Sequence, residues 1–135
     1  MEVGVKVKLA IVAQMTIRIS GVLLLALGVF IWTGNFDQLI PYHRILGFVL
    51  VIALWALSLL AARAGVAIGL VVAAAVWGLI APIIGLTQTS ILTGGFHWVI
   101  QVIHLVIGLG AIGWGERLGQ AMKSRTPVAA PQKMA

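Results

Sequence analysis

Residues 65–86 read GVAIGLVVAAAVWGLIAPIIGL, an apolar run without a charged side chain. A helix of about 20 apolar residues crosses the roughly 30 Å hydrocarbon core of a membrane. Three further apolar runs of similar length occur in the chain, at about residues 10–33, 43–62 and 97–115. This pattern predicts an all-α fold with four transmembrane helices.

The composition of the whole chain also indicates a membrane protein. Of its 135 residues, 61% are hydrophobic and 9% are charged, whereas soluble domains average about 45–50% apolar and 25% charged residues. A soluble fold of this length would lack a polar shell, so the apolar surface must face membrane lipid or partner membrane subunits. We therefore expect an integral membrane protein.

Turn-forming residues separate the four runs. The link at 62–65 is only Ala-Arg-Ala-Gly, and so short a connection makes the flanking helices antiparallel neighbours. The other breaks, 33–41 and 87–95, are rich in turn formers and hydroxyl side chains. We expect an antiparallel four-helix bundle over 1–117. A basic tail at 118–135 is expected to be disordered or to lie on the lipid surface.

The basic residues collect at one end of the predicted bundle. With the N-terminus inside, only Arg44 lies outside and Arg18 lies about one turn inside the inner boundary. The positive-inside rule then predicts that both termini are cytoplasmic, in a bacterial-type cytoplasmic (inner) membrane. The remaining inner-side basic residues are Lys6, Lys8, Arg63, Arg117, Lys123, Arg125 and Lys133.

Several functional classes are excluded by composition. The net charge is +6, but the basic residues do not cluster on one surface with aromatic residues between them, so no nucleic acid is expected as a partner. The chain has no cysteine, which excludes iron–sulfur and thiol chemistry. A hydrolase is excluded because no nucleophile, base and carboxylate set is present.

Polar side chains inside the predicted spans are few, and each is a functional candidate because burying it in lipid is costly. Gln14 and Arg18 are four residues apart on the first helix and therefore share a face. Arg18 either extends its side chain to the lipid headgroups or binds a buried carboxylate or a cofactor propionate.

The three histidines are the main candidates. His97 and His104 lie seven residues apart on the fourth helix, with Gln101 between them on the same face. His43 opens the second helix, and Gly47 follows on its face one turn later. A glycine in such a position serves close helix packing or lets a flat cofactor approach the backbone.

The depths of the histidines suggest how they pair. The sequence interval from His43 to Arg63 equals the interval from His97 to Arg117, so these two histidines are expected at nearly one level. His104 lies about 10 Å deeper, at 1.5 Å per residue. Two imidazoles at one depth on different helices can be the axial ligands of a heme. Helix tilt shifts depths by about a turn, so both the pairing of His43 with His97 and its pairing with His104 stay open.

Other residues near the histidines have candidate roles. Arg44, beside His43, is a candidate partner of a heme propionate, and Gln101 with His104 is a candidate quinone site. The alternative is that His43, Arg44 and His97 are ordinary interfacial residues and that His104 bridges two helices. A three-histidine zinc site would match no recognised ligand spacing.

Two segments, YHRILG at 42–47 and QVIHL at 101–105, resemble the four-helix units of membrane b-type cytochromes and one half of heme A synthase. In those families histidines of the second and fourth helices ligate heme. The resemblance implies heme b on His43 together with His97 or His104. Three histidines supply at most one bis-histidine heme, and no carboxylate lies in any predicted span, so a heme-oxidising activity is not expected.

The leading interpretation is a membrane heme b protein that transfers single electrons, as an electron carrier or as the anchor subunit of a larger oxidoreductase that exchanges electrons with quinone. The alternative is a cofactor-free scaffold or assembly subunit whose glycine-rich faces pack against partner helices. A small transporter or proton path ranks third, because four helices with so few polar groups make a poor aqueous pathway.

Overall fold

The computed structural model describes residues 2–34 and 36–125, and within these ranges the regular structure is entirely helical. Each of the four long helices is long and apolar enough to cross a membrane, which confirms the predicted all-α class and the number of long apolar helices. The helices are α1 (Glu2–Gly34), α2 (Ile40–Arg63), α3 (Ile68–Thr87) and α4 (His97–Lys123), with short 3-10 turns at Asp37–Leu39, Gln88–Ser90 and Gly94–Phe96.

Each helix packs against the next, and α1 closes the bundle against α4. Early residues of α1 meet late residues of α4: Gln14 binds Glu116, whereas a Cβ on Gly21 would touch Ile112. These two helices are therefore antiparallel. Across the diagonal α2 contacts α4, whereas α1 and α3 make no contact within the described residues.

The turn between α2 and α3 is as short as the sequence predicted. Helix α2 ends at Arg63, and Gly65 adopts a φ of +75°, which is a left-handed conformation that glycine adopts without a Cβ clash. The amide of Val66 then donates to the carbonyl of Ala61 at 3.0 Å. This closed turn returns the chain directly into α3.

Two tryptophans connect neighbouring helices in the same way. The indole N–H of Trp55 on α2 donates to the carbonyl of Ala75 on α3 at 3.0 Å, and that of Trp77 on α3 donates to Ile107 on α4 at 2.8 Å. A Cβ on Gly110 would lie 2.5 Å from the Trp77 ring, so glycine lets α4 accept this ring. Close packing of this kind holds helices together where lipid removes the hydrophobic driving force.

The core of the bundle is small. Its fully buried large side chains are Ile17, Leu54, Leu57 and Leu118. Helix α2 is the most buried of the four, whereas most large apolar side chains of α1 and α3 are exposed. An outer surface of this composition suits hydrocarbon or the helices of another protein.

Helix α4 corrects the predicted boundary at residue 117. It continues to Lys123, so residues 118–123 are helical and do not belong to a disordered tail. Leu118 is fully buried, and Gly119 lies so close to α1 that a Cβ there would overlap the Gln14 side chain. These inward residues hold the last turns on the bundle although charged residues surround them in sequence. Residues 126–135 of the predicted tail lie outside the described residues.

Helix α1 is longer than the predicted span at 10–33. It begins at Glu2 and has 33 residues, which corresponds to about 50 Å at 1.5 Å per residue. This length exceeds the roughly 30 Å hydrocarbon core. The first turns of α1, which carry Lys6 and Lys8, therefore extend beyond the apolar region of the bundle.

Candidate functional site

His43 of α2 and His104 of α4 face each other across the diagonal of the bundle. Their ring centroids are 6.1 Å apart and the ring planes are inclined by 54°. Both residues are half-buried. The sequence left two partners open for His43, and the structure brings it to His104.

The Nδ1 atoms of the two rings are unusual because they are buried and have no hydrogen-bond partner within the described residues. Nδ1 of His43 and Nδ1 of His104 are the buried side-chain nitrogen or oxygen atoms that have no hydrogen-bond partner in the described part of the chain. The hydroxyls of Ser20 and Ser58, in contrast, donate to carbonyls one turn earlier in their own helices. Leaving a buried polar atom unpaired costs about 1–3 kcal/mol. Such a pair on facing rings is therefore a candidate ligand-binding feature.

Glycines of the other two helices lie against the two rings. A Cβ built on Gly28 of α1 would lie 3.5 Å from Cε1 of His43, and one built on Gly85 of α3 would lie 2.9 Å from Cε1 of His104. The Gly85 contact is shorter than a real Cβ would tolerate, so α3 reaches the His104 ring because this residue is glycine. All four helices thus contribute to the surroundings of the pair.

Open space lies one turn beyond each histidine. Gly47 follows His43 by four residues, and Gly108 follows His104 by four, so each glycine shares the face of its histidine. A Cβ on either glycine would meet no atom within 4 Å. The backbone is therefore open on the faces that carry the two rings.

The remaining predicted site residues do not join this pair. His97 is the first residue of α4 and is half-buried, and it lies seven residues, or about 10 Å along the helix, from His104. Arg44 is exposed beside His43, and Gln101 is half-buried. Among the described residues, none of these three side chains has a hydrogen bond or an ion pair.

The expected level match between His43 and His97 used the wrong reference point. It counted from Arg117 as the cytoplasmic charge that follows the fourth span, whereas α4 continues to Lys123. The interval from His104 to Lys123 is only one residue shorter than the interval from His43 to Arg63, where α2 ends. Counting from the true helix ends therefore pairs His43 with His104.

A second polar cluster joins α1 to α4 near the opposite end of the bundle. Arg18 binds Glu116 through two contacts, Nε to Oε1 at 2.5 Å and Nη2 to Oε2 at 2.7 Å, and Gln14 donates to the same carboxylate at 3.0 Å. Of the alternatives for Arg18, the structure shows the carboxylate partner. Sequence reasoning did not assign Glu116 a role, although it is the acidic residue closest to that helix end.

Metal binding by a larger cluster has no basis in the described residues, because no three His, Cys, Asp or Glu side chains come together there. A three-histidine zinc site is therefore not formed within this part of the chain. Comparison with protein-family models, curated proteins and solved structures finds no match to the chain. Function must therefore be inferred from the facing histidines themselves.

Proposed function

We propose that this chain is a membrane heme b protein that passes single electrons, with His43 and His104 as the axial ligands. The observation that carries this proposal is the pair of facing rings with buried, unpartnered Nδ1 atoms. A nitrogen ligand needs a free lone pair, and within the described residues neither ring makes a hydrogen bond to the protein.

The separation of the rings supports one metal ion between them. A metal–imidazole bond is about 2 Å long and a ring nitrogen lies about 1 Å from the ring centre, so two opposed ligands have centroids roughly 6 Å apart. The observed separation is 6.1 Å. The distance between the rings is therefore compatible with one iron that His43 and His104 would hold together.

The surrounding residues fit a flat macrocycle. Gly47 and Gly108 leave the backbone open on the histidine faces of α2 and α4, and a planar group approaches a backbone most closely where side chains are absent. Arg44 is exposed next to His43, where its guanidinium is free to bind a propionate in bidentate fashion.

Heme b, when bound, supplies a one-electron ferric–ferrous couple. The chain itself holds the two half-buried imidazoles on separate helices. Gly28 and Gly85 bring α1 and α3 against the rings, so the pair is enclosed by helices. This role makes the chain an electron carrier or a membrane subunit, with Gln101 beside His104 as the place where a quinone would exchange electrons.

The membrane placement is part of the same proposal. The basic residues at the ends of α2 and α4 lie opposite the histidine end, as the positive-inside rule requires if both termini face the cytoplasm. A bacterial-type inner membrane is the setting we propose, and the exposed apolar surface leaves room for a larger oxidoreductase around this chain.

The proposal is tested by reduced-minus-oxidised absorption spectra of the detergent-purified chain expressed with heme available. The wild type should show the sharp bands of a b-type cytochrome. His43→Ala and His104→Ala should each lose them, whereas His97→Ala, the matched control, should keep them. A colourless wild type at full yield, or a spectrum unchanged by His104→Ala, would contradict the proposal.

A cofactor-free scaffold or assembly subunit is the second candidate. The observation that favours it is the large number of outward-facing apolar side chains on all four helices, among them Val22, Ile52 and Ile68. A scaffold predicts a colourless chain that is stable only with a partner, so the same spectra distinguish the two functions.

A further inference from the structure

An open groove lies between α3 and α4. It is closer to the C-terminal end of α4 than His104 is. Its volume is about 290 Å³, and it is lined by Trp77, Gly110, Gly113, Trp114 and Arg117. We propose that this groove binds an anionic phospholipid, with an acyl chain along the glycines and the phosphate at Arg117. This proposal does not depend on heme binding.

The groove changes character along its length. Gly110 lies near the middle of α4 and Arg117 lies six residues before its end at Lys123, so the two are about 10 Å apart along the helix axis. Gly113 is exposed, and a Cβ on it would meet nothing within 4 Å. The groove therefore has a smooth, apolar part at hydrocarbon depth and a cation at the membrane surface, which is the pattern of an amphiphile.

The polar groups at the surface end of the groove are donors. The indole N–H of Trp77 is already bonded to Ile107, but among the described residues the indole N–H of Trp114 and the guanidinium of Arg117 have no hydrogen-bond acceptor. Neither group can accept a hydrogen bond. The guanidinium lies 5.6 Å from the centre of the Trp114 ring, which holds it over the groove. This end of the groove therefore suits a negatively charged group that accepts hydrogen bonds and donates none, such as a phosphate diester.

The neighbouring carboxylate does not neutralise Arg117. Glu116 precedes it in sequence but is bound by Arg18 and Gln14 on the α1 side of the helix. An anionic lipid combines the negative group that Arg117 would bind with the apolar chain that the groove would accept. Basic residues at a membrane surface attract such lipids.

The test is lipid retention by the full chain. The detergent-purified protein is mixed with phosphatidylglycerol or phosphatidylcholine, and bound lipid is counted by native mass spectrometry. The variants are Arg117→Gln, which removes the cation, and Gly113→Leu, which fills the groove where a side chain meets open space. Arg63→Gln is the matched control, because it removes one charge from the same end of the bundle.

We expect the wild type to prefer phosphatidylglycerol and Arg117→Gln to lose about fivefold in affinity for it, as expected for one basic residue near anionic lipid. Gly113→Leu should lose retention of both lipids, and Arg63→Gln should behave as the wild type. Equal retention of the two lipids by the wild type, or equal losses in Arg63→Gln and Arg117→Gln, would overturn the proposal. Because the readout is bound lipid, failure of heme binding would leave this result unaffected.

Discussion

The histidine pair and the cluster of Gln14, Arg18 and Glu116 both join side chains of α4 to another helix, but they differ in their hydrogen bonding. In the cluster a carboxylate accepts from a guanidinium and an amide. In the pair both Nδ1 atoms are buried without a partner. The hydrogen bonds of the cluster account for it as a connection between two helices. Buried nitrogen atoms without hydrogen-bond partners, in contrast, require another explanation in a native fold.

The two regions also differ in exposure. The side chain of Arg18 is 45% exposed and that of Glu116 is 29% exposed, so this ion pair is open to screening from outside the bundle. The histidine rings are half-buried, and Gly28 of α1 and Gly85 of α3 lie against them. The hydrogen bonds of the Arg18–Glu116 pair account for its place in the fold, whereas the buried, unpartnered Nδ1 atoms favour a ligand at the histidines over a structural bridge.

The largest expected effect comes from filling the open space beside the pair. Gly47→Leu adds a side chain where no atom lies within 4 Å, so the fold should be kept while heme is displaced. We expect heme affinity to fall by at least about tenfold, which corresponds to about 1.4 kcal/mol. Hemin titration followed by absorbance measures this loss.

The matched control for this variant is Gly69→Leu, because Gly69 also has open space around its Cβ position but lies at the start of α3. It should bind heme as the wild type does. Equal heme binding by Gly47→Leu and the wild type would show that the open face of α2 does not hold the cofactor.

The next effect concerns the satisfied cluster. Glu116→Ala leaves the amide of Gln14, which is only 4% exposed, without its acceptor. The loss of that bond should lower the free energy of unfolding by about 1–2 kcal/mol. Denaturation of the heme-free chain in mixed micelles measures the change. Glu116→Gln keeps an acceptor oxygen and should lose less; a loss as large as that of Glu116→Ala would show that the hydrogen bond to Gln14 is not the stabilising contact.

The smallest expected effect is a gain in stability from a substitution in the histidine pair, in contrast to the loss expected for Glu116→Ala. His104→Leu removes one buried, unpartnered nitrogen from the heme-free chain. We expect its free energy of unfolding to rise by about 1 kcal/mol, because an apolar side chain of similar size carries no unsatisfied group. The same micelle denaturation tests this. A heme-free variant less stable than the heme-free wild type would mean that His104 stabilises the bundle on its own.

The sequence predicted most of the fold because hydropathy and link length are local properties. The four long apolar helices and the short turn at Gly65 follow directly from them. Helix α4 extends beyond the predicted span, because Leu118 and Gly119 face inward although Arg117 and Lys123 are charged.

Only part of the candidate site could be predicted from the sequence, because only part of it depends on local properties. Histidine positions and helix faces can be counted from sequence, but the level of one helix relative to another depends on packing. The packing of α2 against α4 brings His43 to His104. The contacts of Gly28 and Gly85 with the rings depend on the register of α1 and α3, which no local pattern reveals.

Electron paramagnetic resonance of the ferric protein is the sharpest test of the axial-ligand assignment, because it reports the number of strong axial ligands on the iron. We expect a low-spin, six-coordinate signal for the wild type and for His97→Ala. His43→Ala and His104→Ala, if they retain any heme, should each give a high-spin signal. A low-spin signal that survives the loss of His43 or His104, or one that disappears in His97→Ala, would contradict the assignment of this pair as the axial ligands.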